Sequence, residues 1–256
     1  REYSKEFPDW ILEKVSFDAA YGGERVSAYL FLPKNTSQPY QTVIYIGGEA
    51  IYHQSSSQNI EEYYEFTMFC SFLVKNGRAV LFPIFKGTFE RNNYRLTRIQ
   101  NQELSSHRLA ELVIQQIKDV RRSIDYLETR ADINNQKIAY YGMSAGANMA
   151  VPILAVEDRF ALSILMGGGL GTMDEVRPEI NAINFVTRVK TPTFMLNGKY
   201  DTFIPVEIYV KPLYDLLGTP KEHKRLKLYD TDHIPNLNDA IRDIQNWLNE
   251  YFGPVN

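Results

Sequence analysis

The sequence predicts an α/β protein with a mostly parallel eight-stranded sheet, helices on both faces and an antiparallel N-terminal edge. Three observations indicate this fold class. Short apolar runs, typical of strands buried on both faces, recur along the chain. Segments with the apolar spacing of amphipathic helices lie between several of them. Two alternating runs near the start, joined by a glycine-rich turn, predict an antiparallel hairpin at one edge of the sheet.

The first half of the chain begins with that hairpin and continues with two interior strands. The turn of the hairpin contains Gly22 and Gly23. Apolar residues recur every three or four positions over 59–76 and over 109–128, so each segment is predicted to be a helix. The polar stretch 86–108 has no clear period and is long for a connection. The predicted strands of this half are 11–17, 25–32, 42–46 and 78–83.

The second half contains the remaining strands and helices. Its last segment, 240–251, has the spacing of an amphipathic helix. A run compatible with a helix spans 147–151, and Pro152 is expected to kink or restart it because proline lacks the amide hydrogen that a helix interior uses. The glycine-rich run 167–171 has no GxGxxG register and is expected to be a flexible loop after a strand. The predicted strands are 137–141, 161–166, 193–196 and 226–229.

Composition excludes several classes of protein. The 28 basic and 31 acidic residues give a net charge of −3, which argues against a nucleic-acid-binding chain. The hydrophobic fraction of 44% and the charged fraction of 23% are ordinary for a packed globule. The lone cysteine, Cys70, excludes an internal disulfide and is expected to be a small core residue. No apolar run reaches the length of a membrane span, and the histidines lack the paired spacing of a metal site.

The start of the chain gives limited information about its origin. The charged first residues lack the apolar segment of a signal peptide, so a cytoplasmic location is the working expectation. The first residue is Arg1 and not Met, and we expect the chain to be a processed product or part of a longer multidomain protein. The sequence leaves the oligomeric state open.

The pentapeptide GMSAG at 142–146 is the motif most indicative of chemistry. It directly follows a predicted strand and precedes a helix-compatible run, which is the context of a nucleophile elbow. In such a turn the residues two before and two after the serine approach closely, which explains the glycines at 142 and 146. The turn would expose the Ser144 hydroxyl and aim the first helix amides at a developing oxyanion. Because similar turns also occur for packing alone, the motif needs partner residues.

A serine nucleophile needs a base, and the base needs an acid that orients it. In the chain order serine, acid, histidine, only His223 and His233 follow Ser144. His233 comes directly after the last predicted strand, at the same edge of the sheet as the serine. His223 lies in a charged turn and is expected to be a surface residue. Asp201, just after the strand 193–196, is the best-placed acid.

Two further aspartates are alternatives for the acid. Asp230 and Asp232 both neighbour the histidine in sequence, whereas the acid usually reaches the imidazole from a separate loop. Both are therefore expected to be turn-forming residues.

An oxyanion hole needs two amide donors, and two loops offer them. The first donor is the N–H of Ala145, directly after the serine. The second is expected after the strand 42–46, where Gly47 and Gly48 let the backbone approach a substrate, and the N–H of Glu49 is the candidate. The Glu49 carboxylate is expected to point away from the site, toward a nearby cation, since a second negative charge would disfavour the oxyanion.

These motifs resemble the α/β-hydrolases of the dienelactone hydrolase and prolyl oligopeptidase superfamily. The likeness rests on the motifs at 47–48, 142–146, 197–201 and 232–233. A closer likeness to hydrolase domains at the carboxyl end of some bacterial serine/threonine protein kinases rests on the stretches 28–33, 121–130 and 216–220. The resemblance implies ester or peptide acyl hydrolysis without a cofactor or a metal. One departure is Gly47, where many relatives carry a histidine, and it bears on the shape of the acyl pocket.

We therefore expect a serine carboxylesterase that cleaves small to medium esters through an acyl-enzyme. An acyl-peptide hydrolase and a non-catalytic regulatory domain appended to a kinase are the alternatives. A single α/β-hydrolase domain is expected over 1–256, with 86–108 and 169–188 as candidate lids. Aromatic loop residues favour an apolar or aromatic acyl or alcohol group. The candidate substrate-binding residues are Gly48, Met143, Phe89, Tyr94, Phe185 and Phe203.

Overall fold

The computed structural model describes residues 1–92, 106–171 and 177–255. In these residues the chain divides into two compact units. The first unit comprises Arg1–Tyr45 and Glu49–Asn135, together with Val255. The second comprises Ile46–Gly48 and Gln136–Pro254. Whether 1–256 is one domain stays a prediction, and each unit is described by itself.

The first unit contains five strands in the order β1-β2-β3-β5-β4. The pairs β1–β2, β2–β3 and β3–β5 are antiparallel, and β4–β5 is parallel. The hairpin of β2 and β3 confirms the predicted antiparallel edge, with Asp18 opposite Arg25 at its turn. Every residue of β4 and β5 is buried, as their apolar runs predict. The strands are β1 (Tyr3–Glu6), β2 (Trp10–Asp18), β3 (Arg25–Pro33), β4 (Tyr40–Ile46) and β5 (Ala79–Ile84).

The helix predicted over 59–76 is interrupted at Tyr63, and the part from 64 to 75 is helical with a π-helical turn inside it. The described residues form a short 3-10 turn at Ile60–Glu62, a π-helical turn at Phe66–Cys70 and only then α1 (Ser71–Lys75). Tyr63 has an extended backbone, and its hydroxyl donates to the buried carboxylate of Glu65. The same carboxylate also accepts from the hydroxyl of Tyr45 on β4, so a contact from outside the segment acts together with its local helical spacing.

The long helix of the first unit holds a buried polar cluster. In α2 (Ser106–Glu128), the fully buried carboxylate of Asp119 accepts hydrogen bonds from the Tyr21 hydroxyl, the Lys86 amide and the Arg91 guanidinium. This cluster fixes the start of the predicted lid 86–108 to the body of the unit. The rest of that segment up to 105 lies outside the described residues.

The second unit contains four parallel strands in the order β6-β7-β8-β9. The helix α6 (Leu237–Phe252) is capped by Asn236, whose side chain accepts hydrogen bonds from two backbone amides of the first turn. Trp247 of this helix packs against Phe194 of β8. The strands are β6 (Ile133–Met143), β7 (Leu162–Met166), β8 (Thr193–Gly198) and β9 (Lys224–Tyr229). The other α-helices are α3 (Ala145–Asn148), α4 (Ala150–Leu154) and α5 (Lys211–Leu216).

The predicted effect of Pro152 is confirmed by the break between α3 and α4. In a continuous helix the amide of residue 152 would donate to the carbonyl of Asn148, and proline has no amide hydrogen. The interruption falls at the next residue, Met149. The fold class is confirmed, although the described residues contain nine strands and not eight. The additional strand is β1, whose four exposed residues give no apolar signal. Among the described helices, none combines the length and the apolarity that spanning a bilayer requires.

Candidate active site

Three side chains that the sequence singles out form a continuous hydrogen-bonded series in the second unit. The imidazole Nε2 of His233 lies 2.8 Å from Ser144 Oγ, and its Nδ1 lies 2.6 Å from Asp201 Oδ2. With the proton on Nδ1, His233 donates to the carboxylate and accepts from the serine hydroxyl. The Asp201 side chain is fully buried, whereas the imidazole is 18% exposed. The Asp201 carboxylate is therefore shielded from water, whereas the His233 imidazole is within reach of a ligand.

Ser144 lies on a sharp turn between β6 and α3. Its φ of 49° is in the left-handed region, which non-glycine residues rarely adopt. The flanking glycines are required by close packing: a β-carbon at Gly142 would lie 2.5 Å from the Gly146 carbonyl oxygen. A β-carbon at Gly146 would lie 2.1 Å from the carbonyl oxygen of Ile46. The local strain and both glycines match the strand–turn–helix context that the motif predicts.

The two oxygens of the buried Asp201 carboxylate form hydrogen bonds with different partners. Its Oδ1 accepts hydrogen bonds from the amides of Phe203 and Ile204, at 2.8 and 3.0 Å. Its Oδ2 is thereby left to face His233. The alternative acid Asp230 pairs instead with Lys199 at the surface, and this hydrogen bond raises the pKa of the lysine ammonium.

The loop that carries His233 packs tightly against its neighbours. A β-carbon at Gly198, the last residue of β8, would lie 1.6 Å from the carbonyl oxygen of Asp232. Gly167, directly after β7, leaves room for the imidazole, because a β-carbon there would lie 3.2 Å from His233 Cε1. The ends of two parallel strands therefore set the position of the histidine.

The two predicted oxyanion donors lie on the expected segments. Ala145 is the first residue of α3, where an amide has no acceptor within the helix. The Ile46–Gly48 segment is joined to the elbow by a hydrogen bond from the Gly146 amide to the Gly47 carbonyl. Glu49 follows Gly48 in the chain, and its carboxylate lies 3.9 Å from the imidazole of His53. The oxyanion role of both amides stays a prediction.

The predicted substrate contacts are found in different environments. Phe203 stands beside the imidazole, with ring centroids 5.5 Å apart, and Met143 directly precedes the serine. Phe185 is half-buried and stacks with the guanidinium of Arg188. Phe89 is 2% exposed and packs against aromatic rings of the first unit, and its role in substrate binding stays a prediction. Gly48 is buried, and Tyr94 lies outside the described residues.

A comparison with models of protein families shows the family to which this chain belongs. The model of the BD-FAE family matches residues 29–159, which is just over half of the chain. The chain belongs to the BD-FAE family. The matched part of this BD-FAE chain includes the elbow and ends before Asp201 and His233.

Known proteins similar to the BD-FAE chain agree with the predicted fold. The protein YtaP of Bacillus subtilis (strain 168), named as a hydrolase, is 28% identical over 159 residues, which are 60% of this chain and 52% of YtaP. The match therefore spans about half the length of this curated relative. Two solved structures illustrate the similarity in fold. One is a cold-adapted esterase from an Arctic intertidal metagenomic library, with a TM-score of 0.72, 17% identity and coverage of 98% of both chains. The other is an acetyl xylan esterase from Paenibacillus sp. R4, with a TM-score of 0.68, 18% identity and coverage of 97% and 87%. The α/β-hydrolase fold is thus confirmed, and the specific likeness to kinase-attached domains stays a prediction.

The glycine-rich run after β7 has a role in this BD-FAE chain that sequence reasoning missed. The sequence predicts a flexible loop, but the residues 167–169 are all buried. The Asn148 side chain accepts from the Gly169 amide, and the Asn197 side chain donates to the Gly168 carbonyl. Asn148 belongs to the helix-compatible run 147–151 and Asn197 to the motif 197–201, but only three-dimensional contact shows that both bind this glycine-rich run.

Proposed function

We propose that the protein is a serine hydrolase that cleaves carboxylic esters. The observation that carries the proposal is the hydrogen-bonded series from Ser144 through His233 to the buried Asp201. The names of its relatives support the same class, since YtaP is named as a hydrolase and solved structures of similar fold are esterases. Ser144, His233 and Asp201 are the proposed catalytic residues.

The proposed reaction has two halves that use the same three groups. In the first half, Ser144 Oγ attacks the acyl carbon while His233 Nε2 takes the hydroxyl proton, and the imidazolium then gives that proton to the departing alcohol. In the second half, a water molecule loses a proton to Nε2 as it attacks the acyl-enzyme, and the proton returns to the serine oxygen. Asp201 keeps the proton on Nδ1 and stabilises the imidazolium in both halves.

The negative charge of each tetrahedral intermediate needs donors that are already in position. We assign this role to the amides of Ala145 and Glu49. Ala145 is supported by its position at the start of α3. Glu49 is supported because it directly follows the segment Ile46–Gly48, which is hydrogen-bonded to the elbow through Gly47. Because each donor is a backbone amide, the chemistry requires neither a cofactor nor a metal ion.

The test is the substitution Ser144→Ala with an activated ester and a fluorophosphonate probe. The expected result is a loss of p-nitrophenyl acetate turnover of at least about 10³-fold and no covalent labelling. Ser37→Ala, which removes an exposed serine hydroxyl, is the matched control and should keep both signals. Retention of most activity in Ser144→Ala would rule out this nucleophile. A wild-type protein that neither labels nor turns over esters would favour a regulatory domain, and amides cleaved as fast as matched esters would favour an acyl-peptide hydrolase.

A further inference from the structure

Phe203 is an exposed aromatic residue next to the proposed base. Its residue surface is 61% exposed, although rings of this size are mostly buried in folded proteins. The ring lies edge-to-face with the imidazole of His233, with centroids 5.5 Å apart and an interplanar angle of 69°. An apolar surface is therefore presented to solvent beside the group that would exchange protons with a substrate.

The position of this ring is set by the same carboxylate that holds the histidine. Asp201 Oδ1 accepts from the backbone amides of Phe203 and Ile204, while Oδ2 binds His233 Nδ1. Ile204 is 5% exposed and anchors the loop in the second unit. The phenyl ring is consequently tied to the proposed triad through one buried group, unlike an ordinary surface aromatic.

The contacts of the imidazole determine which part of a substrate reaches this ring. Asp201 binds Nδ1, and Gly167 lies so near Cε1 that an added β-carbon would be 3.2 Å from it, so a ligand approaches from the Nε2 and Cδ2 side. The departing alcohol must come within hydrogen-bond distance of Nε2 to receive its proton. The atoms beyond its oxygen then lie close to the imidazole, whose ring centroid is 5.5 Å from that of Phe203. The acyl carbon, in contrast, is bonded to Ser144.

Resting on the proposed esterase function, we propose that Phe203 forms the wall of a leaving-group subsite. The substrate class is esters whose alcohol carries a flat apolar or aromatic face. Phe203 is a specificity-determining residue and takes no part in proton transfer. A phenylalanine carries on the order of 200 Å² of surface, and covering about half of the exposed part of this ring at roughly 25 cal/mol per Å² corresponds to about tenfold in kcat/KM.

The experiment compares two ester pairs in the full chain. Benzyl acetate and propyl acetate differ only in the alcohol, and both give the same acetyl-enzyme. Methyl phenylacetate and methyl butanoate differ only in the acyl group. The variants are Phe203→Ala, Phe203→Trp and the control Tyr200→Ala, which removes a similarly exposed aromatic ring from the same loop. Fluorophosphonate labelling of Ser144 at the wild-type rate shows that each variant is folded with an intact site.

Phe203→Ala should lower the benzyl-to-propyl ratio of kcat/KM about tenfold, and Phe203→Trp should keep it within about threefold. The acyl-pair ratio should change less than twofold, as should both ratios in Tyr200→Ala. An unchanged benzyl-to-propyl ratio, an equal fall of both ratios, or the same loss in Tyr200→Ala would overturn the subsite. If the proposed function itself is wrong, the wild-type protein fails to hydrolyse every ester and fails to label, which is a different outcome from a wild-type esterase with no Phe203 dependence.

Discussion

Replacing Asp201 with asparagine tests the proposed chemistry at a single atom. In the wild-type protein Oδ2 accepts from His233 Nδ1 at 2.6 Å, while Oδ1 accepts the amides of Phe203 and Ile204. An asparagine that keeps both Oδ1 bonds presents its NH₂ group to the imidazole. Nδ1 must then accept, so the ring proton moves to Nε2. That proton prevents His233 from taking the hydroxyl proton of Ser144.

The size of the effect follows from this change of tautomer. In Ser-His-Asp hydrolases the wrong tautomer lowers kcat by about 10⁴-fold, which equals about 5.4 kcal/mol at about 1.36 kcal/mol per factor of ten. Because Asp201→Asn keeps both backbone hydrogen bonds, its melting temperature should stay close to the wild-type value. Asp201→Ala loses both bonds at about 1 kcal/mol each, so it should lower the free energy of unfolding by about 2 kcal/mol as well.

The assay combines p-nitrophenyl acetate turnover with urea unfolding for each variant. Asp230→Asn is the matched control, since its side chain is 74% exposed and pairs with Lys199 outside the site, and its kcat should stay within twofold of wild type. An Asp201→Asn protein with more than a tenth of wild-type kcat would refute the reasoning. A large loss in Asp230→Asn or Asp232→Asn would identify one of these aspartates as the orienting acid.

Two further predictions concern packing and pH. Gly198→Ala should lower both the melting temperature and the esterase turnover. Its β-carbon would lie 1.6 Å from the carbonyl oxygen of Asp232, the residue before His233. An unchanged melting temperature and turnover would contradict this. Asp132→Asn should lower the melting temperature at pH 7, and its difference from the wild type should shrink as the pH falls below about 4. The two hydrogen bonds from Arg130 lower the pKa of Asp132, so its stabilisation is complete above the unfolded pKa of about 3.9 and lost as pH falls through the folded value. Thermal scans of the wild type and of Asp132→Asn between pH 3 and 7 check this, and a difference in melting temperature that stays constant with pH would count against it.

Most strands and the proposed triad could be predicted because their signals are local. An interior strand such as β4 must be apolar on both faces, and the elbow needs glycine at 142 and 146 wherever the chain makes that turn. Asp201 and His233 could be chosen because parallel strands bring their carboxyl ends to one edge. These inferences need only residue types and chain order.

Other features could not be predicted because distant residues decide them. β1 is a strand only because its backbone pairs with β2, and its four side chains carry no apolar pattern. The helical spacing over 59–76 is interrupted at Tyr63, two residues before Glu65, whose buried carboxylate accepts from the hydroxyl of the distant Tyr45. Phe89 has the sequence context of a loop, yet its ring fills a gap among other aromatic rings. Local propensity is a weak constraint where such contacts are available.

For this protein the sequence by itself determined the fold class, the turn that carries Ser144 and the choice of partner residues. Hydrophobic period and the steric demands of glycine act over a few residues, so they can be read along the chain. Only the tertiary structure decided that Asp201 bonds to His233 and to the Phe203 loop at once, and that Gly167 lies next to the imidazole. These relations depend on distances of a few ångströms between residues far apart in sequence, which no local pattern records.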